Sequence, residues 1–229
     1  MMMKKSILLT LLLALFAVTA SAQETAEQRE RANQQIREKS AAWVAELNLN
    51  DPAKATRVAD VIATHQIEVR DFHNSHPASL VPDGINPRTG DKMNNIEKQV
   101  LINSTKPASV HENLMNGLRA DLTEEQVEFI LDKYTIGKVE FTMNGYRQCI
   151  PDLTPEEEAG LYEILKKARE QAVGYKNMNM ISQIFEIGKT KCELFLYQHD
   201  RNFKRLYKEW TDRLRAEKAA REAAAQANQ

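Results

Sequence analysis

The sequence predicts an all-α protein: an irregular bundle of about seven helices with one long Pro/Gly-containing loop. Three observations carry that prediction. Apolar residues recur at steps of three and four along most of the chain, which is the period of one helical face. Where those stripes begin, a capping side chain is followed by proline or acid, as at Asp51-Pro52, Thr123-Glu124 and Thr154-Pro155. Only residues 138–150 offer a competing strand pattern, and a lone hairpin with no other strand to join is marginal.

The elements follow in order. Lys4 and Lys5 precede an apolar run from Ile7 to Val18, and Ala20-Ser21-Ala22 supplies small residues for cleavage. Residues 1–22 therefore read as a secretory signal peptide, too short for a membrane span. The expected product is exported, periplasmic or secreted, with no spanning segment after cleavage near Ala22. Residues 23–40 form a polar lead, helical or disordered, and 41–214 a single helical domain. Its next helix runs from the Asp51-Pro52 start along Val58, Ile62, His65, Val69, Phe72 and His76, and ends before Pro77. Residues 77–95 are the long loop, given defined turns by Pro77, Pro82, Gly84, Pro87 and Gly90.

A short helix is expected at 96–103. Another follows Pro107, with Val110, Leu114 and Leu118 on one face. The next starts at Thr123, where Gln126 completes a capping box and Leu122 and Val127 form a hydrophobic staple. In 138–150, Asn144-Gly145 is a hairpin signal, yet Val139, Met143, Tyr146 and Ile150 step as a helix. The helix, weakened by Gly145, is the reading taken. Thr154-Pro155 opens a helix that turns Leu161, Leu165 and Ala168 inward. The next carries Ile181, Ile184, Phe185, Cys192, Phe195 and Leu196, and the last carries Phe203, Leu206, Tyr207, Trp210 and Leu214. Residues 215–229 form an Ala-rich tail with little to pack, expected to fray.

Charge is balanced, with 31 basic against 32 acidic side chains and a net charge of −1. That gives no overall attraction to phosphate polymers, so nucleic acid is not an expected partner. The two cysteines, Cys149 and Cys192, allow a disulfide in an oxidising compartment. It would close a loop of about 40 residues, worth about 4 kcal/mol. The alternative is two buried thiols acting as small hydrophobes.

Candidate site residues gather around the loop and the helix breaks. His73 and His76 are three apart beside Asp71, but His76 lies at a helix end, so the pair is not rigidly presented. A metal site would also need His65 or His111, and none is expected. Asn86 and Arg88 are polar groups on a proline-stiffened loop, where ordering costs on binding are low. Tyr134 and Tyr146, with Lys138, flank the Gly137-Lys138 and Asn144-Gly145 breaks, where the backbone can open a cleft. Trp43 and Trp210 sit at core spacing and are expected to pack. Serine-hydrolase elbows, HExxH and phosphate-cradling glycine loops do not occur, so neither catalysis nor a cofactor is expected.

With these residues laid out, the chain resembles a known family. "HPASLVPDGINPRTG", "VHENLMNGLRADLTEEQVEFILDKYTIGKVEFTMNGY", "PDLTPEEEAGLYEILKKAREQAV" and "IFEIGKTK" are similar to a family of secreted bacterial proteins of unknown function, for which sugar binding has been suggested. The resemblance covers roughly residues 40–210 and is strongest at Tyr134–Lys138 and Arg169–Ala172. It implies a non-enzymatic, carbohydrate-binding role in polysaccharide utilisation. The chain departs at Gly174, where the resemblance implies an acid, and at Gly188, where it implies an aromatic. A second resemblance, carried by "LTEEQ" at 122–126 and "LTPEE" at 153–157, is to helical periplasmic stress chaperones with an LTxxQ motif. A third reading is a glycan-active hydrolase or lyase near His73, His76, Tyr134 and Lys138.

Overall fold

The computed structural model describes residues 25–87 and 89–227. The signal-type segment 1–22 lies outside them. Among the described residues there are nine α-helices: α1 Ala26–Ala45, α2 Pro52–Ser75, α3 Asn95–Ser104, α4 Ala108–Asp121, α5 Glu124–Thr135, α6 Lys138–Cys149, α7 Pro155–Ala172, α8 Met178–Gln198 and α9 Phe203–Ala227. The all-α class holds. The count exceeds the expected seven: the polar lead, left as helical or disordered, is part of α1, and the short α3 and the ambiguous segment at 138–150 each form a helix of their own. The division between α5 and α6 falls at Ile136 (φ 50°) and Gly137 (φ 66°), both left-handed, so the chain cannot continue as one helix.

The helix starts are local chemistry. The Thr25, Asn94, Thr123 and Thr154 side chains each accept the backbone N–H three residues on. In each case the Gln or Glu at that position returns a bond to the cap N–H. Asp51 accepts from the Lys54 N–H ahead of Pro52. Residues 138–150 are helical, not a hairpin, with Val139, Met143 and Tyr146 buried on one face.

Two hydrophobic clusters form the interior. One joins α6 to α9 around Met143, Leu161, Leu165, Ile184, Phe185 and Leu196. The other joins α1, α2, α4 and α5 around Val58, Ile62, Leu114, Leu118 and Ile130. The chain between α7 and α8 lies at their seam, with Val173 packed in the second cluster and Tyr175 in the first. Contacts between α7 and α8 are the most extensive in the molecule. Two glycines permit that approach: a Cβ on Gly160 would meet the Phe195 ring at 2.2 Å, and one on Gly188 would meet the Ala168 Cβ at 2.7 Å.

The stripe on α2 needs one correction. Val58, Ile62, His65 and Val69 are buried as expected, but the next inward residue is His73; Phe72 is only half-buried and His76 is exposed. The long loop is pinned rather than loose. Ala78–Leu80 make a 3₁₀ turn, the Met93 N–H donates to the Gly84 carbonyl at 2.8 Å, and Asp83 pairs with Lys92 and Lys98. Helix α9 continues to Ala227, and residues 215–226 are exposed.

Candidate functional site

An open cleft of about 690 Å³ lies between α6, α8 and α9, a volume within the roughly 300–1,000 Å³ usual for small-ligand sites. Its position follows from local sequence. Gly145 stands in the interior of α6 on the cleft side, and a Cβ there would meet nothing within 4 Å. Opposite, α9 carries Phe203, Tyr207 and Trp210 along one face. Their rings form a run from Tyr146 to Phe203 (5.2 Å between centroids), Phe203 to Tyr207 (5.9 Å) and Tyr207 to Trp210 (5.6 Å). Phe141, 76% exposed, stands at the α6 edge.

Polar groups are interleaved with the rings. Asn144 and Gln148 lie one turn apart on α6, and Lys189 and Glu193 one turn apart on α8. Arg147 donates to the Asn144 side-chain oxygen at 3.0 Å and so fixes the amide's orientation. Lys189 pairs with Glu186 at 2.8 Å. The Tyr146 hydroxyl donates to the Lys189 carbonyl at 3.5 Å and also hydrogen-bonds the Cys192 thiol; burial holds its ionisation far above the usual phenol value. Such a wall of ring faces with amides, one cation and one acid suits a ligand that has apolar faces and several hydroxyls.

The cysteines are both buried and unbonded, which is the arrangement of two buried thiols rather than the possible disulfide. Burial pushes the Cys149 thiol up and the Cys192 thiol up to about 11. Neither is therefore a thiolate at neutral pH.

The residues singled out in the sequence do not converge. Tyr146 lines the cleft. Tyr134 is buried 3.0 Å from His65 Nδ1 and packs on Trp43 at 5.2 Å between ring centroids, lining a different cavity. His73 is buried, its Nε2 donating to the Gly174 carbonyl at 3.0 Å and its ring stacked on Tyr175. His76 is exposed and stacks on Phe72 at 4.5 Å. Asn86 donates to Glu97 in the first turn of α3, Lys138 is half-buried in the first turn of α6, and Arg88 lies outside the described residues. Among the described residues no group of three or more His, Cys, Asp or Glu is placed to hold a metal ion. Helices long and apolar enough to cross a membrane are likewise absent among them.

Sequence reasoning missed Phe141, Tyr207, Trp210, Asn144, Gln148, Lys189 and Glu193. The available signal was the helix-interior glycine at 145, a gap in one wall, facing an aromatic stripe on the last helix.

The two departures have structural readings. At Gly188 an aromatic side chain has no room, because Ala168 closes on it. At Gly174 a Cβ would meet the Lys106 amine at 2.6 Å. Here the Gly174 carbonyl receives Lys106 Nζ at 2.7 Å, and burial lowers that lysine to about 8.

Fold and cleft together define an all-helical protein with one large aromatic-walled groove. The chain belongs to the family described as "Protein of unknown function (DUF3826)", which matches residues 33–216. Comparison with curated proteins gives no match.

Proposed function

We propose that this is an exported, non-enzymatic carbohydrate-binding accessory protein, with the saccharide lying along the cleft between α6, α8 and α9. The observation that carries the reading is the ring run Tyr146–Phe203–Tyr207–Trp210 facing the amides of Asn144 and Gln148. Sugars offer apolar C–H faces to rings and hydroxyls to amides and acids, and rigid rings order at little entropic cost. The signal-type N-terminus supports export.

The non-enzymatic part rests on the acids. Glycoside hydrolysis uses two carboxyl groups, one of them raised toward neutral pH. The cleft lining contains Glu193 alone, and every resolved Asp or Glu shift among the described residues is downward. His73, the other candidate for chemistry, is buried with Nε2 committed to a backbone carbonyl.

Glycan arrays followed by calorimetry with plant-type and host-type polysaccharides test the reading. Trp210→Ala and Tyr207→Ala should each weaken a bound glycan about tenfold without loss of helicity. Silence across all polysaccharides, or affinity unchanged in both variants, overturns it. One observation favours a second reading, a chaperone of the LTxxQ type: Phe141, Leu194, Tyr197 and Tyr207 leave apolar surface exposed. That reading predicts suppression of client aggregation, lost on Phe141→Ser with Tyr197→Ser.

A further inference from the structure

A second, smaller cavity of about 210 Å³ lies at the seam of the two clusters, between α1, α2 and the segment joining α7 to α8. It is below the roughly 300–1,000 Å³ of drug-sized pockets, so it takes about one ring. Its buried walls are apolar and aromatic, with Val69, Val173 and Ile181 beside Tyr134 and Tyr175, and Trp43 half-buried. Its charged lining is of one sign. Lys39, Arg70 and Lys176 line it, and no carboxylate does.

The wiring of Arg70 sharpens this. Its Nε and Nη2 donate to Asp71 Oδ1 at 2.8 and 2.7 Å, and Nη2 also donates to Asn33. Asp71 is shared with a second guanidinium, Arg29, so one negative charge answers two positive ones. Nη1 of Arg70 is buried with no protein acceptor. The Tyr175 hydroxyl, on a residue only 4% exposed, is likewise buried and has no well-formed hydrogen bond, with the Gln171 side chain as its one neighbouring polar group. Buried donors are nearly always paired, and leaving a guanidinium N–H unpaired is costly. Two orphaned donors on residues lining one cavity, under an excess of positive charge, call for an anionic acceptor with several lone pairs. Lys39 reaches over the Trp43 ring at 4.6 Å at the rim, and Lys176 is exposed beside it, so an anion entering would pass both.

We propose that this cavity is a binding site for a small, ring-sized organic acid, whose carboxylate accepts from Arg70 Nη1 and the Tyr175 hydroxyl while its ring packs against Trp43 and Tyr134. The site does not depend on the aromatic cleft. Two sources share the chemistry, a sugar acid and an aromatic acid, and the probes separate them. Calorimetry on the full folded chain with D-glucuronate, benzoate and D-glucose should give saturable binding of at least one carboxylate and none of glucose. Glucuronate alone would mark the sugar-acid source and benzoate alone the aromatic one.

Tyr175→Phe, which removes a single oxygen, should weaken the bound acid about tenfold. Lys39→Met, an exposed position whose loss spares the fold, should weaken it about threefold or more. Trp210→Ala should leave it unchanged. Arg70→Met is a poorer test, because it also removes the bonds to Asp71 and Asn33. Absence of carboxylate binding at millimolar concentration, equal binding of glucose, or full affinity retained in both Tyr175→Phe and Lys39→Met each overturns the proposal.

Discussion

Gly145 is the position where fold and site can be tested together. It stands eight residues into the twelve-residue α6, and a Cβ there meets nothing within 4 Å. In a helix interior alanine is favoured over glycine by about 1 kcal/mol, from backbone entropy alone. With no steric term to subtract, Gly145→Ala should stabilise by about 1 kcal/mol, raising the thermal midpoint by about 2–4 °C for a domain of this size. Were Asn144-Gly145 the turn of a hairpin, Gly145 would sit at positive φ and the same change would destabilise by about as much. The two structures thus predict opposite signs. Thermal and urea unfolding of the wild type and variant measure it, and a lowered midpoint refutes the helix. A larger side chain extends the test to function. Gly145→Leu keeps a good helix former but fills the cleft wall, so it should match or exceed wild-type stability while weakening glycan binding about tenfold or more. Undiminished binding in that variant would remove the cleft as the site.

Other outcomes are equally direct. Gly160→Ala places a methyl 2.2 Å from the Phe195 ring at the closest helix pair; it should destabilise by about 1–3 kcal/mol, and a neutral result in urea unfolding would mean that α7 and α8 pack less closely. His65 is held at about 3, mainly by burial, against an ordinary value of 6.5. Below pH 6.5 the unfolded chain therefore takes a proton that the folded state refuses. Stability from this group is complete above that value and falls by about 1.4 kcal/mol per pH unit as pH drops toward 3. Urea midpoints between about pH 7.5 and 5 should decline, more shallowly in His65→Gln, and equal slopes would refute the assignment. Because Cys149 and Cys192 are unbonded, protein denatured without reductant should titrate two thiols, and reductant should leave the thermal midpoint unchanged. A mass two hydrogens lighter would contradict this.

Much of the fold was legible because its start signals are local. Thr154 and Glu157 satisfy each other's backbone donors whatever the rest of the chain does, so the helix boundary can be read from four residues. The inward faces of α7 and α8 follow from apolar spacing for the same reason. The error on α2 is instructive. A stripe read in alternating steps of four and three averages 3.5 residues per turn, whereas a straight helix has 3.6 and drifts by about 20° per heptad. At about 100° per residue, Phe72 lies about 40° to one side of Val58 and His73 about 60° to the other, so tertiary contact decides. His73 is buried with Nε2 on the Gly174 carbonyl and its ring on Tyr175, while His76 is exposed because it caps the end of α2 with non-helical backbone. That separation alone dismantles the His73–His76 pair as a site.

The cleft was only half legible, and the reason is that a groove belongs to two surfaces. The stripe Phe203, Leu206, Tyr207 and Trp210 states that α9 has an apolar face, and core packing is the default use of such a face. Whether the face is covered depends on what stands opposite. On α6 those positions are Asn144, Gly145 and Gln148, none of which supplies apolar bulk, so Tyr207 remains 49% exposed while Phe203, one turn earlier, docks on Tyr146. Gly145 weakens α6 by about 1 kcal/mol relative to alanine and contributes nothing to the core, so stability alone gives no reason for it there. A leucine at that position would extend the apolar wall toward Tyr207 and close the space. The open wall is thus a property of residue 145 as much as of the aromatics, which is why the glycine that made residues 138–150 ambiguous as sequence is the residue that opens the cleft in the fold.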